Sequence, residues 1–297
     1  MSSDRTPLAD FLRARRESIQ PEQVGLPREP GRRVPGLRRE EVAALAGISP
    51  EYYLRLEKGR DHQPSDQVLG SIARAFRLDT DARTYLFRLV RPWPPLRRPP
   101  ASRPVDRGLL ELLEQWTTTP AYLFDRNHDV LAANALARVI APGLLEPGEN
   151  LVMAAFERDS PSRTDSLTWE PEARGLVAAL RYHGDPGDPR LQEIVGTLSA
   201  RSRSFRRIWE RHEARPQSTG VTVHPVEPFG VLELHWQSFQ LPGDAGQFLT
   251  TFFAQPGTPT AAALAELAQG IARGDDGSVS ATRTAASSGI DADTRMA

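Results

Sequence analysis

Apolar positions recur at helical spacing over the first ninety residues. Leu8, Phe11 and Leu12, with Arg15 beside them, fall on one face of a helix that ends before Pro21. A Pro-, Gly- and Arg-rich stretch over 20–36 breaks the pattern. Residues 37–59, LRREEVAALAGISPEYYLRLEKG, then hold two short helical patterns around Gly-Ile-Ser. Ser65 is placed to cap a fourth helix carrying Val68, Leu69, Ile72, Ala73 and Phe76 at spacings of three and four. A fifth begins near Thr80 and carries Tyr85, Leu86 and Leu89. Residues 1–90 are therefore expected to form a small all-α domain. Residues 91–105, with RPWPPLRRPPASRP, read as a semi-rigid proline-rich linker.

The period changes after the linker. A helix over 106–116 is followed by two strand patterns, 121–125 and 129–133, around a short turn. Asn134 precedes a short helix at 135–140, and helices are predicted over 172–182 and 191–211 with GDPGDP between them. Alternation returns at 220–226, 231–238 and 247–254. In the middle segment Leu232, Leu234 and Trp236 fall on one face and Glu233, His235 and Gln237 on the other, the signature of a half-buried antiparallel sheet. The layout predicts an α+β domain over 106–270: a hairpin, helices, then a three-stranded meander. Residues 271–297 have little to bury, and from about Gly274 onward read as a disordered tail. The fold class is thus multidomain, an N-terminal five-helix domain and a C-terminal α+β domain.

The central pair of helices is more specific than a plain helical hairpin. Gly47 can take the left-handed conformation that stops one helix. Ser49 can cap the next through its hydroxyl, and Pro50 suits the first helical position. Val42, Ala46, Ile48, Tyr53 and Leu56 form the inner face, while Ala43 and Ala46 allow a close crossing. That is the spacing of a helix-turn-helix, whose second helix enters the DNA major groove. Its outward residues here are Ser49, Pro50, Glu51, Tyr52, Arg55 and Lys58. Arg55 suits a bidentate contact to guanine, Glu51 an acceptor role toward cytosine and Tyr52 a thymine methyl. Arg38 and Arg39 open the first helix of the pair, where phosphate contacts are expected, with Arg32 and Arg33 nearby.

Charge agrees. The net charge of −1 conceals 20 Arg or Lys against 13 Asp or Glu in residues 1–103, and 17 against 25 in residues 104–297. One end suits an anionic partner.

The run "LADFLRARR … PGLRREEVAALAGISPEYYLRLEKGR … PSDQVLGSIARAFRLD" resembles the Cro/λ-repressor-like (XRE) helix-turn-helix family. The stretches "TPAYLFDRNHDVLAANALA", "GDPRLQEIVGTLSARSRSFRRIWERHE" and "GVTVHPVEPFGVLELHWQSFQLPGDAGQ" resemble the subgroup with a C-terminal MmyB-like ligand-binding domain. The resemblance covers about residues 8–268. It implies a PAS-like sensor, dimerisation, and in some members a bound fatty acid; the family also includes regulators of antibiotic pathways. The 20–36 insert is longer than in the simplest λ-repressor-like domains, though this subgroup shares it.

In the second domain Trp116, Tyr122, Phe156 and Trp236 are candidate walls for an apolar ligand, or simply core. Phe205, Ile208, Trp209 and His212 share a predicted helical face, with Arg203 and Arg206 at its edges, and suit a carboxylate head group. His224 and His235 lie on neighbouring strands, too few to make a metal site. The chain has no cysteine, and hence no disulfide or thiolate site. It has no apolar run long enough to span a membrane and no signal core. No GxSxG elbow, phosphate loop, dinucleotide fingerprint or HExxH motif appears. The reading is a cytoplasmic, non-enzymatic, homodimeric regulator. It would bind a pseudo-palindromic duplex operator and respond to a small apolar ligand, with no resident cofactor. The alternative is a DNA-binding regulator whose second domain only dimerises or contacts protein.

Overall fold

A computed structural model describes residues 6–28, 32, 34–60, 63–91, 104–157, 169–242 and 246–274. The expected linker over 91–105 and tail over 271–297 fall mostly outside the described residues, as does Arg33.

Five helices make the N-terminal unit: α1 (Pro7–Ser18), α2 (Arg39–Ala46), α3 (Pro50–Glu57), α4 (Asp66–Ala75) and α5 (Thr80–Val90). Their apolar faces converge on one core containing Phe11, Leu12, Val42, Tyr53, Leu56, Leu69, Ile72 and Leu86. Side-chain caps start four of the five: Thr6, Ser49, Ser65 and Asp79 each accept a backbone N–H three residues on. The 20–36 insert opens with a 3₁₀ turn, Pro21–Val24, that the sequence pattern did not reveal. The insert closes on α1 at Gly36, where a Cβ would lie 2.4 Å from the carbonyl oxygens of Arg16 and Glu17. Only glycine permits that approach.

The C-terminal unit begins with α6 (Arg107–Gln115), then β1 (Ala121–Asp125), β2 (Val130–Ala133), α7 (Ala135–Ile140) and α8 (Leu151–Glu157). It continues with α9 (Trp169–His183), α10 (Pro189–Arg201) and α11 (Arg203–Trp209). The last elements are β3 (Thr219–Val226), β4 (Gly230–Gln240), β5 (Gln247–Phe253) and α12 (Pro259–Arg273). The hairpin and the meander join into one antiparallel sheet of order β2-β1-β5-β4-β3, so the first and last strands are central neighbours. One sheet face carries Tyr122, Phe124, Phe248 and Phe252 and packs on α7 and α12. The other carries Ala121, Leu123 and Leu249 against α6. A separate helical layer, α8 to α11, has its own core of Phe156, Val177, Leu180, Ile194 and Phe205.

Two expectations need correction. The helix predicted over 191–211 is two helices. Ser202 adopts extended backbone, accepts the Phe205 N–H at 3.0 Å, and restarts the chain in a new direction. His212 thus leaves the helical face it was expected to complete and sits at φ +50°. His224 and His235 do not meet: His224 pairs in register with Leu232, and His235 with Val221. The two histidines lie an odd number of residues from each other's partner and face opposite sides of the sheet. Among the described residues no group of His, Asp or Glu is arranged to hold a metal.

Candidate DNA interface and effector site

The helix-turn-helix is built by local chemistry. Gly47 has φ +66°, and the Gly47 and Ile48 N–H groups close on the carbonyls of Ala44 and Ala43. Glu41 reaches back to accept the Arg38 N–H at 2.6 Å, sealing the start of α2. Ser49 Oγ accepts the Tyr52 N–H at 3.1 Å, and Pro50 occupies the first turn of α3. Tyr53 and Leu56 are fully buried; Ser49, Pro50, Glu51, Arg55 and Lys58 are exposed, and Tyr52 is half-buried. The Arg55 guanidinium lies 5.2 Å from the centre of the Tyr52 ring, which limits its rotamers and holds it at the outer face of α3.

The arginines behind this face divide. Glu57, at the end of α3, is buried and bonded by Arg16 at 2.8 and 2.9 Å and by Arg39 at 2.9 Å. Burial would raise its carboxyl pKa, but the two guanidiniums outweigh burial and hold it below the usual range. The Arg39 side chain is still 45% exposed, so the ion pair leaves it facing solvent beside exposed Arg38. Arg32 is different. Its side chain is only 4% exposed and is committed to Glu41 and the Gly36 carbonyl. It pins the insert to α2 and has little surface to offer a phosphate.

Eight of the nine residues expected to line a ligand site fall in three places, and the ninth, His212, lies beside Arg181. Tyr122 and Trp236 belong to the inner sheet face. Tyr122 stacks on Phe252 at 5.7 Å and hydrogen bonds Thr250, and burial pushes its hydroxyl up to about 12. Phe156, Phe205 and Trp209 form one aromatic run in the helical layer, with centroids 5.2 and 5.7 Å apart. Arg206 caps the end of α10 through the Ser199 carbonyl, and Arg203 is exposed. Trp116 stands apart, in the wall of a cavity of about 280 Å³ between α6 and α12. Leu110, Leu113, Leu136, Ala268 and Ile271 complete its apolar lining, and the exposed side chains of Glu114 and Arg138 stand at its mouth.

The residue that sequence reasoning missed is Arg181, on α9. It is buried, its guanidinium stacks 3.6 Å from the Trp209 ring, and it donates to the Trp209 carbonyl at 2.6 Å. It also bonds His212 Nδ1 at 3.2 Å and the Tyr85 hydroxyl of α5. Burial lowers the His212 pKa to about 3, with Arg181, Arg13 and Arg15 adding to it, so the ring is a neutral acceptor. Around this hub Tyr85 and Tyr182 lie 6.4 Å apart, Arg88 stacks on Tyr182 at 4.8 Å, and Ala214 enters the N-terminal core. Of the stripe expected to meet a head group, Trp209 and His212 lie at the seam between the two units, while Phe205 and Ile208 are buried in the helical layer. Nothing in the local pattern distinguishes Arg181 from a solvated helical arginine; its partners come from α5 and from the turn after α11.

A second polar knot closes the β1–β2 turn. Asp125 accepts from Asn127 and Asp129 backbone N–H groups, Asn127 donates to Asp188, and Arg190 bonds Asp129 at 2.7 Å. Burial raises the Asp125 carboxyl to about 6, with Asp129 and Asp188 adding to it. Burial also lowers His128 to about 4 and His183 to about 3. The His183 ring lies 4.5 Å from that of Phe248, tilted by 59°, one residue beyond Tyr182 at the seam.

No helix among the described residues is long and apolar enough to cross a membrane. A comparison with curated proteins gave no significant match. Residues 7–86 match a helix-turn-helix domain family. Residues 105–267, more than half of the chain, match the MmyB-like transcription regulator ligand binding domain. A DNA-binding helix-turn-helix joined to that ligand-binding domain makes a ligand-responsive regulator, and the chain belongs to the MmyB-like transcription regulators.

Proposed function

We propose that the chain is a cytoplasmic, sequence-specific regulator that binds a pseudo-palindromic operator as a homodimer. Each α3 enters a major groove, with half-sites about one helical turn, roughly 34–36 Å, or a multiple apart. Arg55, Glu51 and Tyr52 read base edges, while Arg38, Arg39, Lys58 and the end of α2 hold phosphates. The observation that carries this is the outer face of α3: exposed, basic, and with Arg55 oriented by Tyr52 while its support is ion-paired behind it.

The effector is a compact, apolar, fatty-acid-like molecule. The cavity between α6 and α12 supports it by its Leu, Ile and Trp lining; Arg138 in its wall donates to the Ala133 carbonyl at 2.8 and 3.1 Å and keeps exposed surface for a carboxylate. Its effect on DNA requires unequal affinity for two arrangements of the DNA-binding units, since equal affinity shifts nothing. The Arg181 seam is the contact through which such a difference reaches α5. A second reading, in which the C-terminal unit only dimerises, draws on the dispersal of the aromatic residues into packed cores.

The test is binding of the full chain to duplex DNA from its own upstream region, with octanoate, laurate or palmitate added. Salt-dependent footprints over two half-sites that one acid shifts are expected. Footprints that no acid changes leave the dimerisation reading. No sequence-specific footprint overturns the DNA reading.

A further inference from the structure

The outer face of the sheet is covered over only part of its width. α6 buries Ala121, Leu123 and Leu249, which belong to β1 and β5. On the remaining strands the register sets Val221 opposite His235, Val223 opposite Glu233 and His235 opposite Phe253, all on the face that looks away from Tyr122 and Trp236. Val231 is 67% exposed, Phe239 50% and Phe253 47%, with Val221 and Val223 close behind. Eight large apolar side chains are exposed among the described residues. Five of them share this face, and a sixth, Leu112, is on the helix bordering it. Single exposed apolar residues need no explanation, but a contiguous strip does.

We propose that this strip is the docking face for a second copy of this chain, sheet against sheet, with Val221, Val223, Val231, Phe239 and Phe253 at the contact. The proposal rests on the homodimer reading above and adds the surface that carries it.

Three observations select a second copy. The strip holds one carboxylate, Glu233, and no Arg or Lys, which suits neither DNA nor an anionic membrane. Its polar members, Glu233, His235, Gln237 and Thr251, lie between apolar ones, so a two-fold related copy sets Val and Phe against Val and Phe while offering each acid a histidine. The strip also adjoins α6, the first helix after the connection from the DNA-binding unit. Two copies meeting here set their α6 helices beside one axis. At ordinary strand rise and spacing the strip spans roughly 27 by 14 Å, on the order of 400 Å² in plan. Its polar members are included in that area. Side-chain relief and the flank of α6 bring it toward the ~800 Å² per partner of a standard interface.

The experiment is sedimentation equilibrium of the full chain without DNA, alongside Val231→Glu and Phe239→Glu. Both positions are exposed in one copy, so thermal melting of the variants should show an intact fold. Each substitution buries an unpaired carboxylate against the apolar side chains of the second copy, which should weaken association by roughly 100-fold or more. The absence of native cysteine allows a second reading: Val221→Cys, Val231→Cys, His235→Cys and Phe239→Cys, each oxidised alone, should include at least one that cross-links into a disulfide dimer. A dimer that survives both Glu variants and joins through none of the cysteines overturns this face and leaves the homodimer reading standing. A wild-type chain that stays monomeric overturns both.

Discussion

At the scale of single residues, the strongest constraints are charges taken out of water together. Glu57 holds Arg16 and Arg39 at once, and both it and Arg16 are buried. Glu57→Ala leaves the buried Arg16 guanidinium with only the exposed carboxylate of Glu17 at 3.1 Å, so a loss of about 3 kcal/mol is expected by chemical denaturation. Arg39→Ala, removing the exposed partner, should cost far less stability and should flatten the salt dependence of DNA binding. Arg55→Ala should leave stability unchanged and lose about 1–3 kcal/mol of discrimination at one base position; equal losses on every sequence would rule out base reading. Arg181 is buried as well, against neutral partners. Arg181→Met keeps the stem but strands the Trp209 carbonyl, His212 and Tyr85, so amide exchange should rise across residues 80–90 and 210–215. DNA affinity should then lose its dependence on the effector; retained dependence would place the coupling elsewhere.

Among the elements, those whose ends are written in short-range chemistry were legible. Gly47, Ser49, Pro50, Ser65 and Asn134 each sit at a helix boundary, and the helices begin or stop there. Ser49→Ala should therefore cost about 1 kcal/mol through the lost cap on α3, measured as a shift in midpoint. α3 needs that cap because it is only eight residues long and its dipole end faces the turn. Boundary chemistry alone was not sufficient: α12, which was missed, has a Thr258 cap, Pro259 in its first turn and Gly274 after its last, and Ser202 caps the merged α11. The start of α9 and the helices α8 and α12 carry small or mixed residues whose period is weak. The 191–211 stretch keeps helical spacing on both sides of Ser202, so periodicity alone could not show the break. That break decides where Trp209 and His212 go.

For the whole molecule, the two units share a buried seam, and buried titratable groups cluster near it. His128, His183 and His212 are all held well below an ordinary histidine. An unfolded chain binds protons on these three as pH falls below about 6.5, while the folded chain does so only near 3–4, so acid favours unfolding. Asp125 works the other way: raised to about 6, it binds its proton first in the folded state and offsets one of the three. Stability should fall steadily from pH 6.5 toward pH 4, read as a falling melting temperature. Asp125→Asn removes the offset and should steepen that fall.

The sequence by itself determined the two-unit plan, the helix-turn-helix with its outward α3, the inner and outer faces of β4, and the family resemblance. These depend on spacing and caps, which act within a few residues. Tertiary structure alone decided that β1 pairs with β5, that Arg32 is enclosed while Arg39 stays exposed, and that Arg181 joins the units. It also decided that part of the sheet is left bare. Those outcomes depend on which distant segments arrive at the same place, and on whether water is excluded when they do. No local period records either.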